Sequence, residues 1–264
     1  MSTSLRQTGP VVASASGGVD VRVEKVVKTF GRGPARTVAL GGLDLDVPAG
    51  QFVCLLGRSG CGKSTLLNLL AGLDEPTAGT VDLGGRRVAM MFQDATLFPW
   101  LTVGGNVALA LKLAGVPRAE RPARVAELLA LVQLGGLERK RPHELSGGMR
   151  QRVALARALA QDASVLLMDE PFGALDAMTR DVLHDEIERI WRVRRLTVIF
   201  VTHNVREAVR LGDRIVLLAP APGCVDVDIE VDIPRPRRID SPEVSERARW
   251  LTDRLHAQPK AGSE

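Results

Sequence analysis

The chain has no tyrosine, only 3% aromatic residues among its 264, and a mild formal net charge of +4. Proteins that bind nucleic acid usually concentrate their basic charge and place aromatic side chains between the basic ones. We therefore expect no nucleic-acid partner. For the two local clusters of basic residues we expect solvated faces, with anionic lipid headgroups as the alternative ligand of one cluster. These clusters are Arg121, Arg124, Arg139, Lys140 and Arg141, and Arg235, Arg237 and Arg238.

Long apolar runs and paired cysteines are lacking as well. The longest apolar segments have the length of strands, well short of the about eighteen residues that a membrane-spanning helix needs. The three cysteines, Cys54, Cys61 and Cys224, show no metal-ligand spacing, and their odd number argues against a disulfide framework. The first residues lack the apolar middle of a secretory signal, so we predict a mobile tail over residues 1–19. A reducing cytoplasm fits these features.

Strand patterns occupy both halves of the chain, and a stretch of helical periodicity separates them. Apolar strands at 165–168 and 197–201 flank a predicted helix over 177–194, an alternation that is typical of a buried parallel sheet. We predict an α/β domain over residues 20–230 with a helical lobe inserted at about 96–160, followed by a C-terminal extension over 231–264. Within the lobe, helical spacing covers 108–113 and 119–134. The other predicted strands are 21–27, 38–47 (with a glycine bulge), 51–56, 79–83, 88–92, 215–218 and 225–233, and a charged helix is predicted over 242–256.

The sequence GRSGCGKST at residues 57–65 fits the phosphate-cradling pattern G-x-x-x-x-G-K-[ST]. Glycines let backbone N–H groups approach a triphosphate closely, and the following helix presents its positive end to the phosphates. The pattern assigns Lys63 to the β- and γ-phosphates and the Ser64 hydroxyl to Mg²⁺. A fortuitous glycine turn is the alternative, but the apolar strand before the loop and the helix after it favour a phosphate site.

An acidic pair, Asp169 and Glu170, follows the apolar run VLLM. The carboxyl end of a buried parallel strand is where ligands of such folds bind. Taken alone, the pair could equally cap a helix. Downstream of Lys63 we favour a role in which Asp169 supports Mg²⁺ through water and Glu170 orients and deprotonates an attacking water molecule.

The segment LSGGMRQ at residues 145–151 opens a predicted helix that continues to about residue 160. Ser146 is a candidate N-cap of this helix. A cap explains the serine but leaves Gly147 and Gly148 unexplained, because each glycine in a helix costs on the order of 1 kcal/mol relative to alanine. Close approach of the backbone to an anion is the better explanation.

Together, the glycine loop and the LSGG segment resemble the ATP-binding cassette (ABC) ATPases. The resemblance covers about residues 21–218, and six motifs occur in the expected order. It implies a P-loop NTPase fold with a RecA-like core, an N-terminal antiparallel β-subdomain and an inserted helical subdomain. It also implies that the chain binds ATP and Mg²⁺, and that a head-to-tail homodimer hydrolyses ATP to ADP and phosphate at its seam.

The resemblance assigns further residues. Gln93 matches the glutamine loop that contacts Mg²⁺ and water, His203 matches the switch histidine at the γ-phosphate, and Asp176 would cross the dimer interface. Phe30 would stack on adenine in place of the usual tyrosine. Three of these assignments have an alternative. Gln93 could be an ordinary polar loop residue, His203 a structural histidine, and Phe30 a hydrophobic plug. The implied nucleotide contacts are Gly57, Arg58, Ser59, Gly60, Cys61, Gly62, Lys63, Ser64 and Thr65 of one subunit and Ser146, Gly147 and Gly148 of the other.

Finer features are similar to the nitrate/sulfonate/taurine importer branch of the family. They are the segment LFPWLTV at 97–103 and the PRPR tail at 234–237. This likeness implies separate integral membrane permease subunits, indirectly an extracytoplasmic solute-binding protein, and a location on the cytoplasmic face of the inner membrane. Phe98, Pro99, Trp100 and Leu101 would then line a groove for a permease helix, with core packing as their alternative role. A soluble ABC ATPase without a transporter, or a cassette of another branch, is the alternative function.

Overall fold

The computed structural model of the protein describes residues 17–259, and its elements follow one another largely as predicted. The mobile tail predicted over residues 1–19 lies almost wholly outside the described residues. The strands are β1 (Val21–Phe30), β2 (Thr37–Val47), β3 (Phe52–Leu56), β4 (Ala78–Asp82), β5 (Val88–Met91), β6 (Val165–Asp169), β7 (Thr197–Val201), β8 (Arg214–Leu218) and β9 (Val225–Glu230). The helices are α1 (Lys63–Leu70), α2 (Val103–Leu113), α3 (Arg121–Leu131), α4 (Gly147–Leu159), α5 (Ala177–Arg194), α6 (Val205–Leu211) and α7 (Pro242–Ala257).

The central sheet has six strands in the order β5-β6-β7-β3-β8-β9. The first five are parallel to one another, and β9 returns antiparallel to β8. All residues of β3 and β7 are buried. Alternate residues of β3 join two different cores: Phe52 and Leu56 pack on the side of α4 to α6, whereas Val53 and Leu55 pack on the side of α1. The prediction of a parallel, mostly buried sheet is therefore confirmed.

A second, antiparallel sheet has the order β2-β1-β4 and covers α1 from the other side. The glycine bulge predicted in β2 is present. Pairing between β1 and β2 shifts register between Val26 and Val27, opposite Leu43 and Gly41, and Gly42 adopts a φ of 83°. The predicted strand at 88–92 does not belong to this sheet, because β5 pairs in parallel with β6 at the edge of the central sheet.

Helices α2, α3 and α4 form the inserted helical lobe, and α2 begins five residues before the predicted start. The Thr102 hydroxyl caps it by accepting the Gly105 N–H at 3.0 Å. The buried Asn106 side chain donates to the Phe98 carbonyl at 3.2 Å and accepts the Phe98 N–H at 2.8 Å. This fixes the loop that precedes α2. Within residues 17–259, no helix is long and apolar enough to cross a membrane.

The C-terminal extension contradicts the solvated face predicted around Arg235 and Arg237. Arg237 is 6% exposed and donates to the carbonyl oxygens of Val209, Gly212, Val231 and Ile233. Burial lowers the pKa of Arg237 to about 10. The guanidinium of Arg235 lies 4.7 Å from the Trp191 ring centroid and 2.8 Å from Asp213 Oδ1. The prediction is wrong for these two arginines because the chain after β9 folds back against α6; Arg238, with 82% of its side chain exposed, fits it.

We expect Arg237→Met to lower the free energy of unfolding by about 2–4 kcal/mol, because it leaves several buried carbonyl oxygens without a donor. Arg238→Met is the matched control. It removes the same charge from an exposed ion pair with Asp240 and should leave the free energy of unfolding close to that of wild type. Urea unfolding followed by circular dichroism measures both values. Equal losses in the two variants would contradict this role of Arg237.

Candidate nucleotide site

The glycine loop lies between β3 and α1, where the sequence predicts it. Gly60 and Gly62 have φ values of 81° and 97°, which side chains other than hydrogen disfavour. A Cβ at Gly62 would lie 2.7 Å from Leu40 Cδ2 and 2.8 Å from the Ala39 carbonyl oxygen. A Cβ at Gly57 would lie 2.5 Å from Cys61 Sγ. The packing of the loop therefore requires glycine at these positions, and the loop leads directly into the N-terminal end of α1.

Lys63 places a buried positive charge inside this loop. The residue is 8% exposed, and its Nζ donates to the carbonyl oxygens of Gly57 at 2.8 Å and Arg58 at 3.0 Å. Cys61 Sγ lies 3.7 Å from the same Nζ. None of these three partners carries a carboxylate. A buried ammonium with only such partners attracts an anion, so the loop fits phosphate groups.

Other predicted loop residues surround Lys63 with varied exposure. Cys61 is buried, Thr65 is half-buried, and Ser59 and Ser64 are exposed. The Arg58 guanidinium reaches the carbonyl oxygen of Gln258 at 3.4 Å, just beyond α7. The end of the C-terminal helix thus lies beside the glycine loop, a contact that the sequence did not predict.

Asp169 and Ser64 form the candidate magnesium site. Asp169 ends β6, and its carboxylate is hydrogen-bonded to the Ser64 hydroxyl. Burial raises the pKa of Asp169, and the neighbouring Glu170 charge adds to this, whereas the Ser64 hydrogen bond and the Lys63 charge oppose it. Among residues 17–259, no group of three or more His, Cys, Asp or Glu side chains could hold a metal ion. A hydroxyl and a carboxylate fit Mg²⁺, which binds few protein ligands together with phosphate oxygens and water.

Glu170 and His203 meet at the edge where β6 and β7 end. The two parallel strands pair through Asp169 and Val201, so the residues that follow them are adjacent. The Glu170 Oε2 lies 2.9 Å from His203 Nδ1. Glu170 has a φ of 45°, in the left-handed region, and its N–H donates to the Val201 carbonyl at 3.0 Å. The side chain of Glu170 is 28% exposed and that of His203 67% exposed, so both can reach solvent or a ligand.

Gln93 points into the same corner from the end of β5. A Cβ at Gly173 would lie 3.4 Å from Gln93 Nε2 and 3.9 Å from Glu170 Oε2. The Gln93 carbonyl accepts a hydrogen bond from Gln151 of α4. The Gln93 and Glu170 side chains thus both lie against Gly173, and the Gln93 backbone is hydrogen-bonded to the helical lobe.

The LSGG segment and Asp176 form a separate group where α4 and α5 begin. Ser146 caps α4 by accepting the Met149 N–H at 3.2 Å, and Asp176 caps α5 by accepting the Thr179 N–H at 3.0 Å. A Cβ at Gly148 would lie 2.3 Å from Thr179 Cγ2, so packing on α5 already requires this glycine. None of these contacts links the group to the glycine loop.

Phe30 ends β1 with 46% of its surface exposed. The Lys28 Nζ lies 5.1 Å from the ring centroid and 2.6 Å from Asp74 Oδ1. A half-exposed ring at a strand end is available for stacking on a planar ligand.

Sequence reasoning missed α6 and three side chains behind His203. Asn204 caps α6 by accepting the N–H groups of Arg206 and Glu207, and a cap followed by apolar residues is a signal that was present in the sequence. Thr202, His184 and Glu207 are buried together behind this corner, at 2%, 0% and 4% exposure. His184 is far from His203 in sequence, so only the fold shows that they belong to one region.

Comparison with known proteins identifies the family to which the chain belongs. The family described as ABC transporter matches residues 40–173. The bicarbonate transport ATP-binding protein CmpC of Synechococcus elongatus is 49% identical over 83% of this chain, which spans only 34% of that longer protein. The aliphatic sulfonates import ATP-binding protein SsuB of Bacillus licheniformis is 44% identical over 85% of this chain and 89% of its own length.

A solved structure shows the same architecture. The ATP-binding cassette MJ0796, described as a dimer in a post-hydrolysis state with ADP and Pi, superposes with a TM-score of 0.71 at 32% identity. The alignment covers 81% of this chain and all of that one. The predicted fold class and the resemblance drawn from the sequence motifs are confirmed. The chain belongs to the ABC transporter family and is one of its ATP-binding cassettes.

Proposed function

We propose that this chain hydrolyses ATP and thereby drives a bacterial importer of a small solute. The observation that carries the proposal is the Glu170–His203 pair, 2.9 Å apart, at the strand edge that also holds Asp169. A carboxylate at this place accepts a proton from water, and the glycine loop with Lys63 holds the phosphates that the water attacks.

The hydrolytic step follows from these positions. Glu170 orients a water molecule and takes its proton as the water oxygen attacks the γ-phosphorus. The bond from that phosphorus to the bridging oxygen breaks, which leaves ADP and phosphate. His203 holds the Glu170 carboxylate, and Lys63 stabilises negative charge on the phosphates. Ser64, Asp169 and Gln93 would hold Mg²⁺, which would neutralise part of the same charge.

The separation of the site into two groups supports a homodimer. Ser146, Gly147, Gly148 and Asp176 lie where α4 and α5 begin, and their contacts do not join the glycine loop. In a head-to-tail pair of chains, this group of one copy faces the glycine loop of the other, so that each ATP molecule lies between two copies. Phe30 stacks on the adenine ring in this arrangement.

An exposed aromatic pair supports docking on a membrane subunit. Trp100 is 68% and Phe98 37% exposed, and their ring centroids are 5.4 Å apart. Asn106 fixes the Phe98 backbone, so the pair is held on a stable support. Exposed aromatic side chains with a rigid base are typical anchors of protein interfaces. We assign them to a groove for a helix of a separate permease subunit at the cytoplasmic face of the inner membrane.

The solute class is proposed from the relatives. Their names give bicarbonate and aliphatic sulfonates, which are small anions. A small solute of the nitrate, sulfonate or taurine type, delivered by an extracytoplasmic solute-binding protein, is the cargo that fits this branch. The cassette itself does not contact the cargo in this scheme.

A pull-down of the tagged chain from its native membranes tests the importer function. We expect a polytopic membrane protein to co-purify and ATP turnover to rise in the recovered complex. Trp100→Glu should lose this partner, because it buries a charge in the contact, while the purified variant keeps the basal turnover of the isolated chain. Turnover that responds instead to nucleic acid or ribosomes, with no membrane protein recovered, would show a soluble ABC ATPase.

A further inference from the structure

The backbone around His203 is held from inside the protein by one hydroxyl group. Thr202, directly before it, donates its hydroxyl proton to Glu207 Oε2. The Thr202 hydroxyl oxygen in turn accepts the N–H of Asn204, the residue directly after His203, at 3.0 Å. The chain on both sides of His203 is therefore tied to the Thr202 hydroxyl, although the histidine ring itself is exposed.

Glu207 is fixed in turn by His184. The other carboxylate oxygen, Oε1, lies 2.5 Å from His184 Nε2. Both residues are buried, and a buried carboxylate is tolerated only when its oxygens have partners. Here each oxygen has one. The second ring nitrogen of His184 lies 3.8 Å from Asp181 Oδ1, which sets the ring between two carboxylates.

The same histidine also contacts the segment that carries Glu170. The ring of Phe172, two residues beyond Glu170, packs edge-on against His184 with centroids 5.5 Å apart. His184 thus touches the strand edge after β6 and, through Glu207 and Thr202, the strand edge after β7. These are the two edges that present Glu170 and His203 to each other at 2.9 Å.

Packing alone does not account for these residue types. Three apolar side chains would fill the same volume without the cost of burying a carboxylate, an imidazole and a hydroxyl. A series of hydrogen bonds from Thr202 through Glu207 to His184 instead fixes direction as well as distance, because each bond is lost on a small rotation.

We propose that Thr202, Glu207 and His184 are positioning residues for hydrolysis: they hold His203 against Glu170. The proposal rests on the proposed ATPase function. All three side chains are buried, so they act through His203 and not directly on the reacting atoms. Loss of the Thr202 hydroxyl releases the turn at residues 202–204, so the His203 ring leaves Glu170 while the glycine loop and Lys63 stay in place.

The matched pair Thr202→Val and Thr202→Ser tests this. Valine keeps the shape of threonine and removes the hydroxyl, whereas serine keeps the hydroxyl and removes the methyl group. For Thr202→Val we expect kcat to fall on the order of 10- to 100-fold, the scale that a misplacement of about 1 Å produces, with KM for MgATP within about twofold of wild type. Thr202→Ser should recover kcat to within about threefold of wild type.

A second readout does not depend on turnover. The ring signals of His203, assigned by their loss in His203→Ala, should shift in the NMR spectrum of Thr202→Val and stay at the wild-type position in Thr202→Ser. Should Thr202→Val fail to fold, Glu207→Gln replaces it. That variant removes the charge shared with His184 and should likewise lower kcat without raising KM.

The outcomes separate the two proposals. A Thr202→Val variant with wild-type kcat and unshifted His203 signals overturns the positioning role. A Thr202→Ser variant that is as slow as Thr202→Val also overturns the positioning role, because the hydroxyl is then not what holds His203 in place. If the wild-type chain shows no ATP turnover, the proposed function fails, and the His203 signals still decide whether the hydroxyl positions the ring.

Discussion

Lys63→Ala should weaken MgATP binding by at least about 100-fold, which corresponds to about 2.7 kcal/mol. The Lys63 ammonium is buried in the glycine loop and has the carbonyl oxygens of Gly57 and Arg58 as partners. Charge-assisted hydrogen bonds to phosphate are roughly twice as strong as neutral ones. Burial of the ammonium away from water strengthens the interaction further. Isothermal titration calorimetry with MgATP measures the loss directly.

Lys112→Ala is the control for this experiment. Lys112 is an exposed lysine near the end of α2, so the control removes the same charge from the surface of the helical lobe. We expect its affinity for MgATP to equal that of wild type. A Lys63→Ala protein that is folded and binds MgATP within about threefold of wild type would contradict the phosphate role of the glycine loop.

Glu170→Gln should lower the turnover of ATP by at least about 100-fold, the lower end of what a general base contributes. Glutamine keeps the size of glutamate and can still hydrogen-bond to His203, but it cannot take a proton from water. Its affinity for MgATP should stay within about threefold of wild type, since Lys63 and the loop are unchanged. Phosphate release at saturating MgATP gives the rate.

Glu120→Gln provides the comparison, because Glu120 is an exposed carboxylate just before α3 with no capping hydrogen bond. It should hydrolyse ATP at the wild-type rate. A Glu170→Gln variant that keeps a tenth or more of wild-type turnover would show that another group takes the proton.

Local signals in the sequence were sufficient for much of the fold. The helix predicted over 177–194 matches α5 from end to end, because an aspartate cap starts it and Arg195 stops it with a φ of 54°. The glycine loop is equally local, since its strand, turn and helix are consecutive. The start of α2 was placed too late because Gly104 and Gly105 weaken the helical pattern, whereas in the structure the Thr102 cap starts the helix before them.

Long-range contacts account for what the sequence did not show. The meeting of Glu170 and His203 was predictable, because the ends of neighbouring parallel strands share one edge. The series of contacts from His203 to His184 was not predictable, since it joins α5 and α6 through side chains whose types suit many surface positions. Arg237 was mistaken for a surface residue for a similar reason: no pattern near it indicates that four backbone carbonyls surround it.

The division of the nucleotide site between two copies is the central claim, and the molar mass of Glu170→Gln in solution tests it most directly. Multi-angle light scattering on this variant should give a monomer without nucleotide and twice that mass at saturating MgATP, because bound ATP that is not hydrolysed holds two copies together. The double variant Lys63→Ala, Glu170→Gln should remain a monomer under both conditions. A Glu170→Gln protein that binds MgATP and stays monomeric would contradict the claim.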